Sequence, residues 1–131
     1  MNAPSSPTPS PIRISLMCEN PIVYKTLGPR LSADRSFEVV GSHDCLIELV
    51  AEVLALQPHV VILGISRITY FNMLICKALR QAVPAVRIVI LPSYVDTPED
   101  MQKALDCGAD VVIEKSIDTP ALVEHIHTLF G

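Results

Sequence analysis

Short apolar runs alternate with helical segments five times along the chain, and this alternation constrains the fold more than any other feature. Strands that alternate with helices pair in parallel through right-handed crossovers. Five such units are too few to close an eight-stranded barrel. We therefore predict an α/β fold, an open, doubly wound five-stranded parallel sheet with helices on both faces. The predicted strands cover residues 12–17, 37–41, 60–64, 87–91 and 110–114.

The segments between the strands carry helix signals. In the first segment, Pro29 follows Gly28 and cannot donate a backbone hydrogen bond, which predicts a kink or an early end of that helix. Thr97 and Thr119 each precede a proline and predict the capped starts of the last two helices. The predicted helices cover residues 21–34, 44–56, 70–83, 97–107 and 119–130.

Length and composition favour one folded domain. The chain has 131 residues, which suits a single domain. Residues 1–11 are rich in proline and serine and hold almost nothing to bury, so we expect a disordered arm there and a folded domain at residues 12–131. The net charge is −4 and basic residues are scattered singly, which argues against nucleic-acid binding by this domain alone.

The spacing of the cysteines and the length of the apolar runs indicate whether the thiols are reduced and whether the chain contacts a membrane. None of the four cysteines has the close spacing of a zinc or redox motif, so we expect reduced, mostly buried thiols in a cytoplasmic protein. No apolar run approaches the ~20 residues that cross a bilayer, and we expect no contact with a membrane. We expect neither a bound metal nor another cofactor.

Ligands of open parallel sheets bind beyond the carboxyl ends of the strands, where the strand order reverses. No nucleophile with an adjacent base stands at the predicted strand ends, so we do not expect an enzyme. A glycine-rich phosphate loop is also missing from the sequence. The residues at these ends are Cys18 and Glu19, Gly64, Pro92 and Ser93, and Lys115.

Four segments together resemble the receiver domain of two-component response regulators, in particular the subgroup that usually precedes a helix-turn-helix output domain. The most specific match is Gly-Ala-Asp at residues 108–110 followed by Lys115. The resemblance covers residues 12–130 and implies a flavodoxin-like fold with strand order 2-1-3-4-5. The segments are MCENP at residues 17–21, PHVVILG at 58–64, RIVILPS at 87–93 and CGADVVIEKS at 107–116.

The chemistry of that family implies a role for each strand end. An aspartate accepts a phosphoryl group, and an acidic pair holds Mg²⁺. Gly64 stands at the acceptor position and has no side chain. Cys18 and Glu19 stand at the acidic pair, which leaves one carboxylate. Cys18 is either an inert thiol that fills space or, with its pKa lowered by a nearby lysine, an oxidant sensor.

The remaining positions of the family's site are also altered. Pro92 stands where the family has a hydroxyl, although Ser93 beside it keeps one. Val112 stands at the aromatic switch position. Lys115 matches the family. Its role is either structural, as a partner of Glu19 or Glu114 or as a cap of the fifth strand, or that of a remnant anion site.

The resemblance implies a degenerate receiver, or pseudo-receiver, in a phosphorelay. We expect a signalling module that acts through protein–protein contact without phosphorylation. One alternative is a small-ligand or anion sensor that uses the altered pocket near Lys115. Another is the receiver fragment of a longer transcriptional regulator.

Receiver domains commonly bind partners or dimerise through the fourth helix, the fifth strand and the fifth helix. By resemblance, we expect a protein partner or a homodimer at this surface. The candidate contact residues are Thr97, Glu99, Lys103, Val112, Glu114, Leu122 and His125.

Overall fold

The structure is a computed structural model that describes residues 8–131. Most of the predicted arm at residues 1–11 lies outside the described residues, and the first strand begins at Ile12. Within the described part of the chain, no helix is both long and apolar enough to cross a membrane.

Five parallel strands form one sheet in the order β2-β1-β3-β4-β5, as predicted. The central strand β3 is buried along its whole length, which explains why its sequence is apolar without alternation. The strands are β1 (Ile12–Cys18), β2 (Phe37–Asp44), β3 (Val60–Ile65), β4 (Arg87–Pro92) and β5 (Val111–Val112).

Helices cover both faces of the sheet and enclose two hydrophobic clusters. One cluster includes buried residues of α1 and α5, such as Leu31 and Ile126. The other includes buried residues of α2, α3 and α4, such as Val53, Leu79 and Ala104. The helices are α1 (Pro21–Ser32), α2 (Val50–Ala55), α3 (Tyr70–Ala82), α4 (Pro98–Asp106) and α5 (Thr119–Thr128).

The first helix passes through Pro29 without ending there, so the predicted early end is wrong. Pro29 lies on the exposed side of α1. Leu31, two residues later, is fully buried and anchors the last turn against the sheet. Burial of that side chain offsets the hydrogen bond that Pro29 cannot donate.

The second predicted helix starts too early in the sequence. Residues 42–44 pair with β1 as part of β2, and a 3₁₀ turn at Ile47–Leu49 precedes α2. Leu46, which falls within the predicted helix, precedes the 3₁₀ turn and is 45% exposed. Pairing along β1 overrides the local helical periodicity, which carries no information about the neighbouring strand.

The edge strand β5 is shorter than predicted, with two residues instead of five. Asp110, predicted to start it, lies just before the strand: its N–H donates to the Ile88 carbonyl at 2.9 Å, and its carboxylate accepts the Ile88 N–H at 2.7 Å and Arg80 Nη2 at 2.8 Å. The cap of α5 also differs from the prediction, since Asp118 accepts the Ala121 N–H at 2.8 Å and precedes the helix.

Candidate functional site

Cys18 and Gly64 lie side by side at the carboxyl edge of the sheet. Cys18 ends β1 and pairs in register with Gly64 of β3. A Cβ atom added to Gly64 would lie 2.9 Å from Cys18 Sγ and 3.3 Å from Val23 Cγ1, both closer than ordinary van der Waals contact. The Cys18 thiol therefore occupies the space that a side chain at position 64 would enter.

Glu19 binds the loop that follows β3. Its Oε1 accepts hydrogen bonds from the Ser66 N–H at 3.1 Å and from Asn72 Nδ2 at 3.0 Å. Asn72 is buried and also donates to the Arg67 carbonyl at 3.0 Å. Asn72 was not among the predicted site residues, although an amide between Phe71 and Met73 in an apolar helix was a visible signal. Glu19 thus connects the end of β1 to the start of α3.

Lys115 contacts the loops after β3 and β4. Its Nζ donates to Ser93 Oγ at 3.1 Å and to the Ile65 carbonyl at 3.2 Å. Among residues 8–131 it forms no ion pair with Glu19 or Glu114, so that predicted pairing is wrong. A neutral hydroxyl and a backbone carbonyl take the place of the glutamate in that alternative, and the role of Lys115 in holding the loops is structural.

Pro92 and Val112 act in packing. Pro92 is buried at the end of β4, and its carbonyl accepts the Lys115 N–H at 2.9 Å. Val112 in β5 is partly buried against the cluster beneath α3 and α4. The hydroxyl at this edge comes from Ser93, as the sequence suggested.

Burial raises the pKa of the Cys18 thiol to about 11 and outweighs two opposing influences, the hydrogen bond with the Gly64 backbone and the charge of Lys115. The thiol is therefore protonated near neutral pH and a poor nucleophile. The lowered pKa on which the oxidant-sensor alternative rests is wrong, because desolvation of the thiolate exceeds the attraction of the lysine.

The residues at this edge do not fit Mg²⁺. The ion requires oxygen ligands, whereas Cys18 offers a protonated thiol and Gly64 no side chain. Glu19 Oε1 already accepts two hydrogen bonds. Within residues 8–131, no three His, Cys, Asp or Glu side chains are grouped to hold a metal ion.

The predicted contact residues differ in how far their side chains are exposed. Leu122 is 2% exposed and packs in the cluster beneath α1 and α5, so its assignment to the contact surface is wrong. Val112 is only partly accessible. The sequence missed Met101 and Leu105, which lie exposed on α4. The other predicted contact residues are exposed, namely Thr97, Glu99, Lys103, Glu114 and His125.

Solved structures of response regulators are similar to this chain in fold. No family model matches the chain. The signal receiver domain of the response regulator NarL from Mycobacterium tuberculosis superposes with a TM-score of 0.79 at 20% identity, covering 92% of this chain and 97% of that one. A LuxR-family two-component response regulator from Aurantimonas sp. SI85-9A1 superposes with a TM-score of 0.72 at 25% identity, covering 90% and 84%.

The chain has the fold of a response-regulator receiver domain. Two curated proteins extend this similarity to the sequence. The DNA-binding transcriptional activator DevR/DosR of Mycobacterium tuberculosis is 29% identical over 106 residues, which are 81% of this chain and 48% of that protein. A nitrate/nitrite response regulator protein homolog of Haemophilus influenzae is 26% identical over 115 residues, covering 88% and 55%. This receiver-fold chain thus spans about half the length of the curated relatives it matches.

Proposed function

We propose that this chain is a receiver-fold signalling module that acts through protein–protein contact and does not accept a phosphoryl group. The observation that carries the proposal is the contact between Cys18 and Gly64. An acyl phosphate requires a carboxylate, and position 64 supplies no side chain. The Sγ atom of Cys18 would lie 2.9 Å from a Cβ atom added to Gly64, so the thiol fills the space of a side chain at position 64.

The contacts around this edge support the same proposal. Lys115 is held by Ser93 and a backbone carbonyl, and Glu19 by the Ser66 N–H and Asn72. These hydrogen bonds join the loops after β1, β3, β4 and β5 without a phosphoryl group or a metal ion. A partner can therefore recognise the arrangement of the loops that these hydrogen bonds hold.

Treatment with acetyl phosphate and Mg²⁺, followed by intact-mass measurement, tests the absence of phosphoryl transfer. We expect no added mass, and no change in sedimentation after addition of beryllofluoride with Mg²⁺. A receiver domain that keeps its acceptor aspartate is the positive control for both reagents. A stable phosphoryl adduct on this chain would contradict the proposal.

We infer that the contact surface is formed by α4, β5 and α5. The α4 part of this surface carries two exposed apolar side chains, Met101 and Leu105, which are 40% and 42% exposed beside charged Glu99 and Lys103. An apolar centre with a charged rim is typical of protein interfaces. A second copy of the chain and a different protein are the two candidate partners.

The variant Leu105→Glu tests this surface, with Lys25→Glu on the exposed side of α1 as its control. We expect L105E to abolish self-association in sedimentation velocity or capture of a purified partner, whichever the wild type displays. K25E should preserve that interaction. An interaction that survives L105E would place the surface elsewhere.

A second candidate role is the receiver part of a longer DNA-binding regulator. The observation that favours it is the coverage of the relatives, since a DNA-binding transcriptional activator matches this chain over 48% of its own length. An immunoblot of the native protein tests it, with a band well above 14.3 kDa expected. A single band at that mass would contradict this role.

A further inference from the structure

A cavity of about 200 Å³ lies between α1 and α5, on the face of the sheet opposite α3. Its apolar wall includes Val23 and Leu27 of α1 and Leu122 of α5. Arg30 and Lys115 line its polar side. The cavity is separate from the contacts of Glu19, although Val23 also borders the space at Gly64.

The charge of this lining is opposite to that of the whole chain. The sequence has 14 acidic and 10 basic residues, yet the residues that line the cavity include two cations and no acid. Within the described chain, the Arg30 side chain forms no ion pair. Lys115 uses its ammonium on Ser93 and a carbonyl, which leaves one of its three N–H donors available. An anion would neutralise both cations.

The start of α5 adds a further donor to the same cavity. Thr119, the first residue of the helix, lines the cavity. The first backbone N–H groups of a helix lack intrahelical acceptors and carry partial positive charge. Asp118 accepts the Ala121 N–H with its side chain at 2.8 Å and the Leu122 N–H with its backbone carbonyl at 3.0 Å. Pro120 has no N–H, so the free backbone donor at this helix start is that of Thr119. The two cations in the lining and the Thr119 N–H therefore favour the same sign of ligand charge.

We propose that this cavity binds a small organic anion with an apolar body, of the class of a single-ring monocarboxylic acid. The carboxylate faces Arg30 and Lys115, and the apolar body lies between Val23, Leu27 and Leu122. Sites for larger ligands measure about 300–1,000 Å³, so the size of this cavity favours one ring over a nucleotide. The inference goes beyond the proposed function because neither phosphoryl transfer nor a partner protein is involved.

Titration with benzoate tests the proposal, with backbone amide NMR and calorimetry as readouts. We expect saturable shifts confined to α1, the start of α5 and the segment around Lys115. Benzamide has the same shape without the charge, and inorganic phosphate has charge without the apolar body. Both should bind at least about tenfold more weakly, since charged hydrogen bonds and the buried ring each contribute. Equal binding of either probe would overturn the proposal.

Variants of two cations on α1 locate the site. Arg30→Gln should weaken benzoate binding about three- to tenfold, because it removes one charged donor from an exposed rim. Lys25→Gln, on the same helix but outside the lining, should leave the affinity unchanged. Leu27→Trp should abolish binding by filling the cavity, with an amide spectrum that shows the variant to be folded. Wild-type affinity in R30Q, or shifts centred away from α1 and α5, would refute the assignment.

Discussion

At the scale of single residues, the Cys18 side chain occupies a small space at the carboxyl edge of the sheet that the absence of a side chain at Gly64 leaves open. The sequence predicted that each departs from the receiver pattern, but not that the two departures fit each other. Their fit depends on the register between β1 and β3, which brings together positions 46 residues apart. A sulfur atom on one strand makes a side chain on the other unfavourable.

Substitution of two buried glycines measures this fit. Gly64→Ala should destabilise the fold by about 1–3 kcal/mol, because its Cβ would overlap Cys18 Sγ. Gly28→Ala is the matched control, because its Cβ would lie 3.7 Å from Leu16 Cδ1 in ordinary contact, and the helix should gain up to about 1 kcal/mol. Urea unfolding gives both values. A neutral G64A would disprove the tight contact.

The four thiols should differ in reactivity. Burial raises the pKa of Cys18 to about 11 and those of Cys45 and Cys76 to about 12. Cys107 is partly exposed at the end of α4. In Ellman titration of the native protein near pH 8, Cys107 should react first and the others only on unfolding. Rapid labelling of Cys18, identified by peptide mass, would contradict its assignment as an inert thiol.

At the scale of the elements, local signals located the starts of four helices to within one residue, but they placed the start of α2 at residue 44 instead of Val50. Helix α4 begins directly after Thr97, whose N–H donates to the Asp100 carboxylate at 3.3 Å, as the Thr-Pro sequence predicted. For α5, the same Thr-Pro pair predicted Thr119 as the capping residue, whereas the cap is Asp118, one residue earlier. Strand β2 extends three residues beyond its apolar run, because a strand end depends on its neighbour.

Two alanine substitutions distinguish the predicted cap of α5 from the observed one. Asp118→Ala should cost about 1 kcal/mol of unfolding free energy, because the Ala121 N–H loses its acceptor. Thr119→Ala, one residue later, should change stability by less than about 0.5 kcal/mol, since it lies within the first turn. Thermal and urea unfolding of both variants provide the measurement. A larger loss in T119A would restore the sequence-based assignment.

At the scale of the whole molecule, His59 links the central strands. Its Nδ1 accepts the Arg13 N–H at 2.8 Å, and its backbone carbonyl accepts the Arg87 N–H at 2.9 Å. Burial lowers the pKa of His59, and the Arg13 charge lowers it further. The folded protein therefore keeps this ring neutral at a pH where the unfolded chain binds a proton.

Stability should consequently fall on acidification. The contribution of His59 is complete above its ordinary pKa of 6.5 and is lost as the pH falls from there toward the lower folded value. His59→Asn keeps an acceptor and removes the titration, so its unfolding free energy should change less between about pH 7.5 and pH 5. Above pH 5, Asp34 contributes little, because its pKa lies below 3.8. An equal pH dependence in H59N would exclude His59 as the cause.

Residue patterns were enough to predict the alternation of strands and helices, the open parallel sheet and the altered positions at its carboxyl edge. Apolar runs, proline positions and motif spacing are local properties, and they are sufficient for these features. The tertiary structure alone decided that Leu122 points into the core, that Lys115 bonds to Ser93 rather than to a glutamate, and that Cys18 fills the space at Gly64. Each of these contacts joins residues whose separation in space depends on strand register and helix packing, and no local pattern encodes that separation.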